Sequence, residues 1–480
     1  MSSDDLTLYR FSIGVAIWAL LMLIVPILRR KSDVFTAWNF FLVGVFTFNG
    51  RSGLNAATTP HYLPDISGSS YSWYYLGTVV FYATITATYY FFKYPRRLAG
   101  RTLLKWPKIT AGNAPILATC LMAMIVGLVV PIPIPVVGQL LSQFALVVPG
   151  IALAFMTIVW YRDRTNVVLL AFLVAFAFIA VAAALGAGIS RRYLMSSLSA
   201  IPVGLYWVWL RYKPTPTILT IIAVALASTV PVVAGFTAIR FSLQDEEVTA
   251  VQRAQRLLQA LPDAIRRGGS SEGFSGQDSV ECALCVIELL NNGSKRMEVD
   301  PLYSLKYILA NPVPRELWPG KPSAVGAHLV YKFGLRGTNA NLGLNVVGQC
   351  FYDGGIVIHV LYAIMMGAFL RYYDELMVRQ PGNPLLVGGF VAMSAQILGW
   401  PRGGIEVFGL QIIQGFVLIV LTSLLARLVY GVGVVYPRTD HIENFPVLRS
   451  QADWQRWMGS FTGGLPAANR EQYLDSEDED

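Results

Sequence analysis

The sequence predicts an all-α, polytopic membrane protein, and three observations carry that prediction. Of its 480 residues 54% are hydrophobic and only 14% charged, with a mean hydropathy of +0.51. Soluble domains carry about a quarter charged residues. Apolar runs near the roughly 20 residues that a spanning helix needs recur through most of the chain. Basic residues collect in alternate connections between those runs, as the positive-inside rule requires. The short alternating segments of a β-barrel are not evident.

Taken in order, the apolar windows give about eleven spans. They fall near 9–28, 34–49, 71–92, 114–133, 138–160, 166–187, 193–210, 216–238, 349–370, 384–400 and 405–429. The first is longer than the core of a cleavable signal, and its basic cluster Arg29-Arg30-Lys31 follows rather than precedes it. That polarity is opposite to a signal peptide and predicts a retained span. The linker after span three holds Lys93, Arg96, Arg97, Arg101, Lys105 and Lys108 without an acid, which marks it cytoplasmic. Parity then puts Arg29 to Lys31, Arg162 to Arg164, Arg211 with Lys213, and Arg371 to Arg379 on the same side, and each of those connections carries at least two Arg or Lys residues. The acidic N-terminus (Asp4, Asp5), the Pro131–Pro135 turn and the long segment 240–345 fall on the other. The expected topology is N-terminus out and C-terminus cytoplasmic.

The domain reading follows: 1–239 as an N-terminal bundle of eight spans, 240–345 as an extracytoplasmic loop, 346–430 as three further spans, and 431–480 as a tail. Within the loop, 245–267 has the pattern of an amphipathic helix, Gly268 to Gly276 that of a flexible turn, and 279–291 that of a second amphipathic helix. The tail ends in Asp475-Ser-Glu-Asp-Glu-Asp480, an acidic block expected to be disordered. Cys282 and Cys285 form one pair without a second pair, weak grounds for zinc. Net charge +8 calls for no nucleic acid, since cytoplasmic loops facing anionic lipid account for it.

The most distinctive stretch is Asn311-Pro-Val-Pro-Arg315-Glu-Leu-Trp318-Pro-Gly-Lys321-Pro322. Its prolines fix φ and hold a short segment rigid, so Arg315 and Lys321 are presented beside Trp318, a combination suited to an anionic group on an apolar or sugar-like carrier. Other cations stand at predicted outer span ends: Arg51, Arg191, Arg192, Arg240 and Arg402. Arginine binds phosphate bidentately, and a diphosphate can engage several at once. Interfacial snorkelling is the alternative for any single one. Gly50, Gly53, Gly403 and Gly404 beside them permit tight turns.

From about residue 185 to 430 the chain resembles the bacterial O-antigen and oligosaccharide repeat-unit polymerases, the Wzy-like family. The resemblance rests on an ordered series: Gly188 to Arg192, Ile239-Arg240, the Pro-Arg-x-x-Trp-Pro-x-Lys-Pro motif at Pro314 to Pro322, Gly348 to Gly355, and Arg402-Gly403. Gln349 departs from it, standing where an acid is common. The resemblance implies a GT-C-like glycosyltransferase of the inner membrane. It would transfer a glycan from undecaprenyl diphosphate to a second lipid-linked repeat unit, with no cofactor and no metal. Arg51, Arg191, Arg192, Arg240, Arg315, Lys321 and Arg402 would hold the diphosphate, and Trp318 and Trp400 would stack on sugar. His328, Glu316, Asp353 and Asp300 are the candidate bases, and the sequence does not choose among them. Implied partners are the lipid-linked donor and acceptor, membrane lipids, and flippase and chain-length regulator proteins. Rival readings are an O-antigen ligase, a transporter or flippase of the same lipid-linked sugars, and a non-catalytic assembly partner.

Overall fold

The computed structural model describes residues 2–29, 32–58, 66–101, 111–125, 147–186, 191–225, 278–291, 297–328, 343–380 and 383–430, with a few isolated positions between them. Among the described residues the regular structure is helical apart from two antiparallel two-residue strands, Trp106–Pro107 and Gly433–Val434. In chain order the helices are α1 (Ser3–Leu28), α2 (Ala37–Val45), α3 (Ser52–Ala56), α4 (Gly68–Phe91), α5 (Lys93–Arg101), α6 (Ala114–Ala123), α7 (Val148–Arg162) and α8 (Val167–Gly186). They continue with α9 (Arg191–Val208), α10 (Thr215–Ala225), α11 (Ser279–Asn291), α12 (Tyr303–Ala310), α13 (Asn345–Gly354), α14 (Ile356–Arg379), α15 (Pro384–Gly399) and α16 (Ile405–Tyr430).

Among the described residues four segments are long and apolar enough to cross a membrane: Ser3–Leu28, Ile356–Arg379, Pro384–Arg402 and Ile405–Leu428. Helix α4 has the length, but its six tyrosines and four threonines make it less apolar. Shorter apolar helices stand at most of the other predicted spans. Two boundaries differ from the sequence reading. The second window does not end at 49, because α2 passes through a π turn at Phe46–Arg51 directly into α3. The ninth window, read as one span over 349–370, is broken at Gly354 and Gly355, both at positive φ, which separate α13 from α14.

Side-chain pairings fix the relative directions of the helices. Asp5 meets Tyr71, Phe11 meets Tyr74 and Trp18 meets Tyr82, so α1 and α4 are parallel. Gly77 packs on His359 and Gly367 on Ile85, so α4 and α14 are parallel too. Gly50 packs on Ala16 and Gly53 on Ser12, which sets the α2–α3 segment antiparallel to α1. Gly44 abuts the Leu398 carbonyl and Phe40 meets Phe390, making α2 and α15 parallel. Gly389 with Ile419 and Gly399 with Phe408 set α16 antiparallel to α15.

Each end of this bundle has its own polar chemistry. At one end Asp33 accepts from Tyr206 at 2.7 Å and is ion-paired with Arg211 at 3.1 Å, all buried. Nearby Asp374 accepts from the Ala37 and Trp38 backbone N–H groups and from Tyr89, at 2.6, 3.2 and 2.8 Å. That carboxylate caps the first turn of α2, where helical N–H groups have no partner of their own. The Pro314 to Pro322 loop lies at the opposite end, called here the motif end.

The sequence pattern of 279–291 predicts a helix with one wet face. Helix α11 forms there but is buried on every side from Ser279 to Leu289. Its acid Glu288 accepts from the Ser67 backbone N–H at 2.9 Å and from the Ser67 and Ser70 hydroxyls at 2.6 and 2.8 Å. Glu288 thereby acquires the partners a buried carboxylate needs. Cys282 and Cys285 are both buried in this helix. Most of the other expected amphipathic helix, 245–267, and the acidic tail lie outside the described residues.

Candidate functional site

The site is built where α12, α13, α16 and the two turns bearing Arg51 and Arg402 meet. The π turn of residues 46–51 presents Asn49, whose side chain donates to the Pro401 carbonyl at 3.4 Å. Asn345, at φ 57°, donates to Asn49 Oδ1 at 2.7 Å and starts α13. Gly403 has φ 89°, and a Cβ there would lie 2.8–2.9 Å from the backbone of Asn345. Glycine is thus required twice over at 403, for its backbone conformation and for the close approach. A Cβ on Gly343 would likewise lie 2.6 Å from the Arg402 side chain. The Arg51 and Arg402 turns therefore share one wall, and both arginines are half-buried in it.

Behind that wall lies a buried polar chain. Gln349 Oε1 accepts from the Gly404 and Ile405 backbone N–H groups at 2.6 and 2.9 Å, which caps the start of α16. Its amide nitrogen donates to Ser304 Oγ at 2.6 Å and to Glu406 Oε2. Glu406 Oε1 accepts from the Val325 backbone N–H at 3.0 Å, tying the segment after the motif to α16. One turn along α13, Asp353 Oδ2 accepts from Tyr362 at 2.8 Å and from the Ser304 backbone N–H at 3.3 Å. Asp353 Oδ1 is buried and has no hydrogen-bond partner among the described residues. Sequence reasoning missed Glu406; the available signal was an acid within the first turn of an apolar helix, where burial is costly unless the group is used.

The motif loop is bonded mostly to itself. Lys321 is buried, and its ammonium donates to the Asn311 and Val313 carbonyls at 2.6 and 2.8 Å. Burial and the neighbouring Arg315 push that ammonium below its usual range. Arg315 donates to the Lys321 and Pro322 carbonyls at 3.2 and 3.4 Å and is otherwise exposed. Glu316 is exposed and Trp318 is 44% exposed, at the tip. Tyr303 donates to the Ser323 carbonyl at 2.9 Å and carries His328 against its ring, 5.2 Å between centroids, with Tyr352 next to both.

Of the residues singled out from sequence, the structure therefore brings Arg51, Arg402, Arg315, Lys321, Trp318, Glu316, His328 and Asp353 to the motif end. Asp300 is there too, ion-paired with Lys306 at 2.6 Å. Trp400 is at this end but turned inward and buried, its ring plane at 72° to that of Phe369 with 5.7 Å between centroids, so it is not open to a sugar. Arg191 and Arg192 open α9, and their side chains are not among those described; Arg240 lies outside the described residues. Among the described residues no group of His, Cys, Asp and Glu has a metal-holding arrangement.

Comparison with protein-family models, with curated proteins and with solved structures gives no match.

Proposed function

We propose that this protein polymerises undecaprenyl-diphosphate-linked oligosaccharide repeat units into a surface polysaccharide at the outer face of a bacterial inner membrane. One observation carries the reading. The Arg51 turn, the Arg402 turn and the Arg315 loop gather at a single end of the bundle, which also holds Asp353, a buried acid one of whose oxygens has no hydrogen-bond partner among the described residues. Arginines there suit a lipid diphosphate, which leaves as the glycosidic bond to it breaks. Asp353 Oδ1 suits the proton released as the acceptor hydroxyl attacks. A transporter of the same lipid would carry charges in the middle of its spans rather than at their ends.

The proposed topology has eleven spans, with the N-terminus and motif outside. Helix directions support it: α4 and α14 are parallel, so if both cross, an odd number of crossings separates them, and the reading has five. A cysteine replacing Arg97 should then label only from the cytoplasm, and one replacing Glu316 only from outside.

The decisive test is to incubate the purified protein with a lipid-diphosphate repeat unit. A ladder of longer glycans with released lipid diphosphate is the expected result. With lipid A core supplied in a parallel reaction, transfer only to that core would make it a ligase, and no transfer in either reaction would remove the enzymatic reading.

A further inference from the structure

Helix α5 follows α4 after a break at Phe92 and runs beside the last turns of α14. Arg96 is 3.8 Å from Glu375, and Gly100 packs on Arg379. Pro95 and Ala99, one turn apart, are the buried stripe. At 100° per residue, Lys93, Arg97 and Arg101 form a second stripe, about 12 Å long, and all three are exposed. Between these two stripes lie Tyr94 and Leu98, exposed apolar residues with Phe91 just above them; Phe91 is 79% and Tyr94 60% exposed.

Three cations in a row with no acid on the helix attract a phosphate, and apolar residues left bare beside them attract an acyl chain. Together these are the two halves of one amphiphile. The neighbouring acid, Glu375, is already held by Arg371 at 2.5 Å, with Arg96 and Arg379 each at 3.8 Å, so it does not neutralise the row. Helix α14, against which α5 packs, is itself long and apolar enough to cross a membrane, so α5 sits at the depth of its charged final turns.

We infer that α5 and Phe91 form a binding site for an anionic phospholipid. Lys93, Arg97 and Arg101 hold the phosphate, and Phe91, Tyr94 and Leu98 carry the acyl chains. The site is remote from the motif end and independent of the proposed polymerase activity.

The test uses the full chain purified in neutral detergent and titrated with phosphatidylglycerol or phosphatidylcholine, with retained lipid counted by native mass spectrometry. Wild type should prefer phosphatidylglycerol. Each cation contributes about fivefold to association with anionic lipid. The Lys93→Ala, Arg97→Ala, Arg101→Ala triple variant should therefore bind phosphatidylglycerol roughly a hundredfold more weakly and phosphatidylcholine unchanged. Arg97→Lys with Arg101→Lys should retain the preference, which guards against misfolding of the triple variant. Arg164→Ala, on the turn after α7, should also retain it. Equal binding of the two lipids by wild type would overturn the inference, as would undiminished preference in the triple variant. Full competition by heparin, with no dependence on acyl chain length, would reassign the face to a soluble acidic partner.

Discussion

Gln349 and Glu406 close a hydrogen-bonded seam between α13 and α16, in which one amide serves a carboxylate and two backbone N–H groups at once. Replacing Gln349 by Ala strands those groups in a buried place, at about 1–3 kcal/mol for each left unsatisfied. Gln349→Glu sets two carboxylates together, so one of them has to hold a proton. The melting temperature of that variant should rise as pH falls from about 8 to about 5, because the folded state binds the extra proton. Parallel melting profiles for variant and wild type would remove this account of the seam.

If Arg51, Arg315 and Arg402 hold the proposed diphosphate, replacing any one of them by Ala deletes a charge-assisted contact worth about 1.5–3 kcal/mol. In the ladder assay that is roughly a ten- to hundredfold loss of rate or donor affinity. Arg→Lys should restore little, since an ammonium cannot make the bidentate bond. Arg97→Ala, at the other end, should leave polymer length near wild type. Normal polymer from both the Arg315 and the Arg402 variants, at normal expression, returns these residues to headgroup contact.

Asp353→Asn keeps the shape of the side chain while removing its capacity to take a proton. General-base catalysis contributes about 10²–10⁴-fold, so polymerisation should fall by that order while the melting temperature stays close to wild type. His328→Ala, beside Tyr303, should cost far less. The reverse ranking would move the base to His328.

Gly403→Ala forces a side chain onto a residue at φ 89° and against the Asn345 backbone. Strain of this kind costs about 1–3 kcal/mol before the collision is added. Folded protein recovered after detergent extraction should drop sharply, whereas Gly14→Ala, with open space around its Cα, should not change it.

Much of the apolar framework was legible, because hydropathy alone marks α1, α14, α15 and α16. Burial of α11 was not, since Glu281 and Glu288 gave it a polar stripe, and the serines that receive Glu288 lie 218 and 221 residues away. The motif could be found by its prolines and cations, but the inward turn of Lys321 could not. A flexible side chain takes its direction from carbonyls that only the folded loop supplies. Gln349 was read as a departure from a pattern, and its partner Glu406 was overlooked, because nothing in the chain joins positions 57 residues apart.

The carboxylates of Asp33 and Asp374 rivet the α1–α2 connection, α4, α9 and the C-terminal half of α14 to one another at the end remote from the motif. A bundle pinned at one end hinges there as tongs do. On the proposed function, an opening that admits a long lipid-linked chain would be a splaying of the motif end about those two aspartates, with α13 and α16 moving as one because Gln349 and Glu406 join them.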